Sequence, residues 1–580
     1  MRQGTNPPRH PQKSSKVRTR TLEKFVVEEV ELRGTPELDQ PRPRRRFLPR
    51  FQLPFGTVLG WLGLWLALTL ATLAGREAWP FDETRELAIA WEMWSSGHWR
   101  VPTLNGEPIG RAPLFSWLIL AAWKFSAVDD LMIVRAIAPA FSLGSLVLLV
   151  MIARKLWPDS PTVASHVPYL ALGAIFVALI APLLRPEMVG LFFTLLAVWS
   201  MLVMWRSRDA RAWLLFGPAL GLGVLTQGGL VLIAVLPVAL LAPLWARGPV
   251  RPVWKHWYLD VVKGLLLAMV LVSVWLVPAT AMAGPLFLVR VMTDGFALQT
   301  LEFFPARWPW WGYLWLLPVA FLPWSVLPLL WLRLLHAGRA EFNAGAAFCL
   351  VWSASTVLLL SLLPVKQPSF LLAPLMALTL LVTWLSFEPR LDGRGDHHPL
   401  AGMTLPLVLA GGLLVIVPKL PRSDYLPALL WDVSPLLGVA VMIIGIALAW
   451  MPVHDVRRRI LNTAVFVIML MTIGILAAGS QLGPLQNVDT IARAIAERQA
   501  ADQPVAHVGP YRGEYHYAGR LTKPLLILDA RDADQWYTQH PNGAVVAASD
   551  VWQPADAGQI KPPLDVGFRD RATRLWSPVR

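Results

Sequence analysis

Residues 79–99 of this chain read WPFDETRELAIAWEMWSSGHW, and they follow a first long apolar run, Phe55 to Gly75. A chain that leaves a bilayer meets water at this point, so two adjacent carboxylates and an arginine stand beside tryptophans at a membrane surface. Charged groups in such a place are usually functional. An ordinary helix start has the same pattern, with Asp82 as the N-cap and Gly97 closing the helix. Both interpretations of Asp82 stay open on this stretch alone.

The composition is that of a polytopic helical membrane protein. Hydrophobic residues make up 55% of the 580 residues, and the mean hydropathy is +0.49. Apolar runs long enough to cross a bilayer recur along the chain. The net charge of +14 has to be located before it is interpreted, because Lys and Arg also mark cytoplasmic loops. The single cysteine, Cys349, excludes a disulfide within one chain.

Residues 1–54 are predicted to form a disordered basic tail on the cytoplasmic side. Residues 1–52 carry thirteen Lys or Arg, many prolines and little apolar periodicity. The apolar segment that follows starts too late and is too long for a cleavable signal peptide. A basic cluster next to the first span is placed to contact anionic lipid headgroups, and it consists of Arg42, Arg44, Arg45, Arg46 and Arg50.

Residues 111–127 decide the number of spans. They contain only about a dozen apolar residues and an internal Lys124, short of the roughly 20 residues that cross a 30 Å hydrocarbon core. We therefore expect them to lie at the interface, within a first outer loop of residues 76–131. Thirteen spans remain, and they are expected near 55–75, 132–153, 164–183, 188–205, 212–227, 229–246, 259–281, 311–332, 345–363, 368–387, 400–418, 432–451 and 460–481.

The positive-inside rule supports this count. With a cytoplasmic N-terminus, thirteen spans place every basic cluster between spans in the cytoplasm: Arg154 and Lys155; Arg206, Arg208 and Arg211; Arg247, Arg251 and Lys255; Arg333 and Arg339; Arg390 and Arg394; Arg457, Arg458 and Arg459. Counting residues 112–127 as a span would invert these loops. The fold class expected is an all-α membrane domain over residues 55–481, followed by a periplasmic region of residues 482–580.

The same topology collects polar residues from distant parts of the chain on the outer face. They are Asp82, Glu83, Arg85, Arg111, Arg185, Glu187, Gln227, Arg290, Asp294, Glu302, Arg307 and Lys366. Each alone is more typical of a loop end, but a bundle could gather them into a cavity. A carboxylate there could deprotonate or orient an acceptor, and a cation could neutralise a departing phosphate. A sugar linked to a lipid phosphate fits such a cavity.

Residues 482–580 alternate between helical and strand patterns, which predicts a small α/β domain. Helices are expected at Asp489–Ala500 and Asp532–His540, and strands at Val505–Gly509, Leu525–Asp529 and Ala544–Ser549. The region shows no metal-ligand spacing and no nucleophile motif, so we assign it no chemistry. No phosphate-binding loop or dinucleotide fingerprint occurs anywhere in the sequence, and no nucleotide or nucleic-acid partner is expected.

The stretch Phe81–Arg85, with Glu92-Met93, Ser96–Trp99 and Val101-Pro102 after it, resembles the first outer loop of the GT-C membrane glycosyltransferases. The similarity is greatest to the bacterial aminoarabinose transferases that modify lipid A, which are relatives of the protein O-mannosyltransferases. Shorter similarities follow in the same order at residues 110–114, 186–188, 225–228, 308–313, 322–324 and 365–368. The resemblance covers residues 55 to about 550, and implies thirteen spans, a C-terminal outer domain and an inverting transfer.

The resemblance also implies roles for individual residues. The expected catalytic groups are Asp82, Glu83 and Glu187, and the expected phosphate-side groups are Arg85, Arg111, Lys366 and Gln227. Asp82 matches the family's catalytic carboxylate, and any divalent metal ion is expected at Asp82, although no cofactor is certain. Gln227 stands where the family has a lysine. Gly110 replaces a glutamate and Phe370 a tyrosine, departures that leave the identity of the sugar open.

The sequence thus predicts a transferase of the bacterial inner membrane whose active site faces the periplasm. Its donor would be a polyprenyl-phosphate-linked sugar, and its acceptor would be lipid A, another glycan or a protein. Two alternatives remain. A flippase for lipid-linked sugars would show charges near the bilayer midplane and a repeat between halves, neither of which is evident. An inactive scaffold would agree with Gln227 and Phe370.

Overall fold

The structure is a computed structural model that describes residues 54–73, 83–207, 211–247, 251–295, 309–327, 343–387, 401–420, 434–450, 455–482, 488–554, 564–568 and 571–577. Predictions about the basic tail, Asp82, Glu302 and Arg307 concern residues outside this set. Residues from Leu53 onward form one compact unit.

Apolar helices make up most of the described chain. They are α1 (Phe55–Leu73), α4 (Leu131–Leu156), α5 (Pro161–Leu172), α6 (Ile175–Ile180), α7 (Glu187–Ser207), α8 (Trp213–Gln227), α9 (Leu230–Leu240), α10 (Ala242–Trp245), α11 (Trp254–Ala283), α12 (Pro285–Gly295), α13 (Gly312–Ala320), α14 (Ala344–Leu362), α15 (Leu372–Phe387), α16 (Ala401–Ile416), α17 (Pro435–Trp450) and α18 (Val456–Leu482). Each of the thirteen predicted ranges contains a helix.

Seven helical segments among the described residues are long and apolar enough to cross a membrane, so the chain is a multi-span membrane protein. They are Phe55–Leu73, Leu131–Leu156, Glu187–Ser207, Trp254–Ala283, Ala344–Leu362, Pro368–Phe387 and Val456–Leu476. The other apolar helices are shorter than a bilayer-crossing helix. Helix length alone therefore does not give the number of spans.

The predicted span 164–183 is broken at a point where residues of another segment form hydrogen bonds with its free backbone groups. The range 164–183 forms α5 and α6 rather than one helix. The indole of Trp324 donates to the carbonyl of Leu170 at 2.8 Å, and the amide of Ile175 donates to the carbonyl of Leu322 at 2.8 Å. Groups freed by a helix break inside a membrane protein need such partners.

The outer segment between α1 and α4 contains α2 (Glu83–Ser96), the hairpin of β1 (Thr103–Leu104) and β2 (Glu107–Pro108), and α3 (Leu114–Phe125). Helix α2 ends at Ser96 and is followed by Gly97, whose φ of 72° is the left-handed conformation expected of a closing glycine. Helix α3 has twelve residues and is about 18 Å long, well short of a bilayer core. This length agrees with the interfacial position predicted for residues 111–127.

The C-terminal part is an α/β unit with α19 (Asp489–Ala500) and α20 (Ala530–Gln539). Its five-stranded sheet has the order β4-β3-β5-β7-β6. The strands are β3 (Val505–Val508), β4 (Leu526–Leu528), β5 (Ala544–Ala548), β6 (Leu564–Phe568) and β7 (Arg571–Trp576). Strands β6 and β7 were not predicted from the sequence. In the sheet, these two strands are antiparallel, and their register places Asp565 opposite Arg574.

The C-terminal unit is attached to the outer segment through residues 511–525. The indole of Trp91 on α2 donates to the carbonyl of Leu521 at 2.8 Å. The ring of Tyr517 stacks on Trp123 of α3, with centroids 5.7 Å apart and planes 5° apart, and its hydroxyl donates to the carbonyl of Val128 at 2.7 Å. Helices α2 and α3 are thus held by chain nearly 400 residues away in sequence.

Asn105, in the β1–β2 turn, joins the same two parts by a reciprocal pair of hydrogen bonds. Its side-chain amide donates to the carbonyl of Leu525 at 2.9 Å, and the amide of Leu525 donates to the Asn105 side-chain oxygen at 2.7 Å. Its φ of 56° is a conformation that asparagine tolerates better than most residues.

We expect Asn105→Ala to destabilise the attachment by roughly 1–3 kcal/mol, because two hydrogen bonds are lost and alanine is strained at this φ. The change would lower the thermal unfolding temperature of the detergent-purified protein and increase proteolysis between residues 488 and 577. Asn105→Gly is the matched control, since it removes the bonds without the backbone strain. Wild-type stability in both variants would show that the attachment does not depend on Asn105.

Candidate active site

A cavity of about 260 Å³ opens where α2 and the loop before α3 meet the ends of several membrane helices. Backbone and apolar side chains form part of its wall, which includes Ile89 and Phe115. Its charged and amide-bearing lining residues are Arg85, Glu86, Arg111, Glu187, Gln227, Asp294 and Gln367. The cavity therefore combines residues from six separate parts of the chain at one end of the helix bundle.

Arg85 projects from the first turns of α2 into this cavity. Burial is the main reason that its pKa falls to about 10, and the nearby positive charges of Arg111 and Arg512 lower it further. Glu86 and Asp294 act in the opposite direction. The buried Nε of Arg85 has no hydrogen-bond partner among the described residues. Such a poorly solvated cation would gain from an anionic ligand.

Arg111 lies beside Arg85 and forms an ion pair with Glu86, also on α2. Burial alone would lower the pKa of Arg111, but the charge and hydrogen bond of Glu86 outweigh it and raise that pKa. Glu187 makes a smaller contribution in the same direction. Arg111 is therefore kept charged, and the ion pair fixes the loop before α3 to α2.

Glu187 is the first residue of α7, where the helix dipole favours a negative charge. One carboxylate oxygen, Oε1, lies 2.7 Å from the Arg185 guanidinium. The other oxygen, Oε2, is buried without a hydrogen-bond partner among the described residues. The carboxylate thus has accepting capacity left at the cavity wall.

Gln227 ends α8, and Gly228 follows it with a φ of 65°. The Gln227 amide packs against Gly190 of α7, where a Cβ atom would collide with it. A narrower cavity of about 30 Å³ also borders Gln227 and Glu187, and runs between α7, α9, α14 and α15. Its apolar lining is Leu191, Leu230, Ala234, Leu360, Phe370, Leu372 and Ala373.

The structure brings together four of the residues predicted from sequence: Arg85, Arg111, Glu187 and Gln227. It does not bring in Glu83, whose carboxylate pairs with Arg135 of α4 at 3.2 Å in a buried setting. The buried guanidinium of Arg135 requires such a counter-charge, so this ion pair holds α2 against α4. A catalytic role for Glu83 stays a prediction.

Lys366 also lies outside the lining of the cavity. Its ammonium donates to the carbonyl of Leu363 at 2.8 Å, whereas its neighbours Gln367 and Phe370 face the cavity. Burial lowers the pKa of Lys366. A role for Lys366 toward phosphate stays a prediction.

Two residues that line the cavity, Glu86 and Asp294, and one residue near it, Arg512, were not assigned to the site from the sequence. Glu86 is part of the quoted stretch, but its pairing with Arg111 depends on a loop that the sequence does not position. Asp294 was placed on the outer face without a role. Arg512 comes from the C-terminal unit, close enough to lower the pKa of Arg85. No periodicity links residues so far apart.

No group of three or more His, Cys, Asp or Glu side chains among the described residues could hold a metal ion. The described lining combines carboxylates with two arginines, a donor set that suits anions and hydroxyl groups as well as cations. The metal ion expected at Asp82 concerns a residue outside the described set and stays a prediction.

Comparison with known proteins places these features in context. A family model for dolichyl-phosphate-mannose-protein mannosyltransferase matches residues 110–277. Two undecaprenyl phosphate-alpha-4-amino-4-deoxy-L-arabinose arabinosyl transferases of Pseudomonas fluorescens (strain Pf0-1) are similar in sequence. One is 30% identical over 369 residues, covering 59% of this chain and 60% of the relative. The other is 29% identical over 384 residues, covering 63% of this chain and 66% of the relative. The match thus spans less than two thirds of the relatives' own length.

Solved structures show the same fold over a larger part of the chain. The apo crystal structure of ArnT from Cupriavidus metallidurans has a TM-score of 0.70 and 18% identity, and covers 90% of this chain and 97% of that one. The crystal structure of the same protein bound to undecaprenyl phosphate has a TM-score of 0.70 and 17% identity, and covers 90% of this chain and 98% of that one. This chain therefore has the GT-C fold and is related to the aminoarabinose transferases.

Proposed function

We propose that the chain is a glycosyltransferase that moves a sugar from a polyprenyl-phosphate donor to an acceptor of the cell envelope. The observation that carries this proposal is the pair of cations, Arg85 and Arg111, in a cavity that opens at the end of a bundle of apolar membrane helices. A lipid phosphate needs both environments within a short distance. The relatives named above use undecaprenyl phosphate carriers, which supports the same donor class here.

The arginines fit the leaving group of such a reaction. When the bond between the anomeric carbon and the phosphate oxygen breaks, its electron pair stays on the phosphate, which gains negative charge. Guanidinium groups bind phosphate oxygens through several N–H groups at once. Because Arg85 is poorly solvated before the donor arrives, its attraction to that growing charge is stronger than in bulk water.

A carboxylate completes the transfer on the acceptor side. An acceptor hydroxyl oxygen would attack the anomeric carbon from the face opposite the phosphate, which inverts the configuration, while its proton passes to the carboxylate. We assign this role to Asp82, three residues before Arg85 in sequence. Glu187, with one oxygen unpartnered among the described residues, would orient a hydroxyl group. Lipid A, another glycan and a protein remain candidate acceptors.

Helix α7 supports a periplasmic position for the site. It runs from Glu187 at the cavity for 21 residues, or about 30 Å, the thickness of a hydrocarbon core. At its far end Arg206 donates to the carbonyl of Leu156 at 3.1 Å, and Lys155 donates to Ser207 at 3.1 Å. Basic residues thus gather one membrane thickness from the cavity, as cytoplasmic ends do.

The proposal extends to thirteen spans and a C-terminal domain on the periplasmic side. The C-terminal unit contacts α2 and α3, and α2 lines the cavity, so the unit and the cavity share a side. A cytoplasmic tail of residues 1–54 then requires an odd number of spans before residue 482. The thirteen predicted ranges satisfy that condition.

This topology predicts where reporters will be active. A phosphatase or fluorescent reporter fused after Ser207 should score cytoplasmic, because that residue ends the basic side of α7, and one fused at the C-terminus should score periplasmic. Cell fractionation with both reporters at each position provides the measurement. Opposite results at both positions would contradict the orientation of the site.

Asp82→Asn should abolish transfer while leaving the protein folded in the membrane. The amide still accepts a hydrogen bond at a helix N-cap but cannot take a proton, so the substitution separates the two interpretations of Asp82. Transfer from a labelled polyprenyl-phosphate sugar in detergent would be measured, a setting in which a flippase or a scaffold gives no product. Normal turnover in the variant would leave Asp82 as a cap.

Glu83→Gln is the matched comparison for Asp82→Asn. Because it leaves Arg135 without its charged partner in a buried setting, its main effect should be on stability, with a loss of about 3–5 kcal/mol. Yield and unfolding temperature would report that loss. A stable Glu83→Gln variant without transfer activity would instead return Glu83 to the catalytic set.

The phosphate-side assignment predicts a loss of donor affinity. Arg85→Ala and Arg111→Ala should each weaken undecaprenyl phosphate binding by about 1.5–3 kcal/mol, the usual loss for one charge-assisted hydrogen bond. Arg100→Ala is the control, since Arg100 belongs to the same outer segment but stacks on Trp99 outside the cavity lining. Titration of the purified variants with undecaprenyl phosphate would measure the affinities. Equal affinities in the two cavity variants and the Arg100→Ala control would disprove the assignment.

A further inference from the structure

Asp294 is a carboxylate of the cavity for which the proposed reaction has no use so far. It lies next to the last residue of α12 and lines the cavity together with Arg85, Arg111 and Glu187. It is close enough to Arg85 to raise the pKa of that arginine. Helix α12 therefore contributes a negative charge to a cavity wall that also includes residues of α2, α7, α8 and the loop before α3.

Arg290 fixes α12 against the β1–β2 hairpin. Its guanidinium donates to the carbonyl of Pro108 at 2.5 Å and lies 3.7 Å from the Glu107 carboxylate. Asp294 follows Arg290 by four residues, so both side chains lie on one face of the helix. The contact that holds Arg290 on the hairpin therefore also places Asp294 over the loop that follows it.

Gly110 makes this approach sterically feasible. A Cβ atom at residue 110 would collide with the backbone carbonyl of Arg290 and would lie 2.6 Å from the Oδ2 atom of Asp294. The carbonyl belongs to a helix backbone and cannot move aside as a flexible side chain would. The absence of a side chain at Gly110 thus lets the Asp294 carboxylate occupy this corner of the cavity, next to Arg111.

The charges of the cavity distinguish Asp294 from the other carboxylates. Glu86 is paired with Arg111, and Glu187 is paired with Arg185. Asp294 forms no ion pair with any residue in the described part of the chain. Its oxygens are therefore available to hydrogen-bond donors of a ligand, and they would repel the phosphate that the arginines attract.

We propose that Asp294 is a sugar-binding residue that contributes to donor specificity. In this arrangement, which rests on the proposed function, Arg85 and Arg111 hold the phosphate and Asp294 accepts hydrogen bonds from a hydroxyl or ammonium group of the attached sugar. The ligand class is a sugar with a hydrogen-bond donor directed at α12. A bare carrier phosphate has no such group and gains nothing from Asp294.

Two probes separate these contributions: undecaprenyl phosphate alone, and undecaprenyl phosphate linked to either 4-amino-4-deoxy-L-arabinose or mannose. For the full-length purified Asp294→Asn variant, we expect unchanged or tighter binding of the bare carrier and about 10-fold or more weaker binding of a sugar-linked carrier. A larger loss of affinity for the amino-sugar carrier would identify an ammonium group as the partner of Asp294, and a loss of affinity for the mannose carrier would identify a hydroxyl group. Both results support the inference.

Asp260→Asn is the control, because it removes the same charge at the start of α11, far along the chain from the cavity lining. Equal losses for bare and sugar-linked carriers in Asp294→Asn would indicate a structural effect and overturn the inference, as would unchanged binding of every probe. A wild-type protein that binds no probe would overturn the proposed function itself. Unfolding temperatures of both variants verify that each is folded.

Discussion

The close approach of two guanidinium groups, Arg85 and Arg111, is the constraint on which the site depends. Burial lowers the pKa of Arg85, and the like charge of Arg111 in the same cavity lowers that pKa further. Glu86 lies on the same helix as Arg85 and forms an ion pair with Arg111, which offsets the cost of burying the Arg111 charge. The loop before α3 is thereby fixed to α2, so that the electrostatic balance also determines the shape of the cavity.

Neighbouring carboxylates can therefore have different roles in this segment. Glu83 and Glu86 are separated by one turn of α2, yet Glu83 pairs with Arg135 of the membrane bundle and Glu86 pairs with Arg111 of the loop. The first pair joins α2 to α4, and the second joins α2 to the cavity wall. Helix α2 is thus held by charge on two sides, a rigid support for groups that must meet a reacting centre.

The sequence predicts the membrane helices and α2 well because apolar periodicity and capping residues are local signals. Gly97 ends α2 as its position suggested. The site is only half predictable, since tertiary packing that no local pattern encodes brings Asp294 and Arg512 near enough to Arg85 to shift its pKa. The pairing of Glu83 was missed because its partner Arg135 lies more than fifty residues away, on a helix whose inward face the sequence does not specify.

The C-terminal unit influences the site although it holds no recognised chemistry. Its residues 511–525 hold α2, α3 and the β1–β2 hairpin through Leu521, Tyr517 and Leu525, respectively. A unit outside the helix bundle thereby positions α2, the helix that carries Arg85 into the cavity, so the stability of its attachment and the affinity for an anionic donor depend on the same contacts.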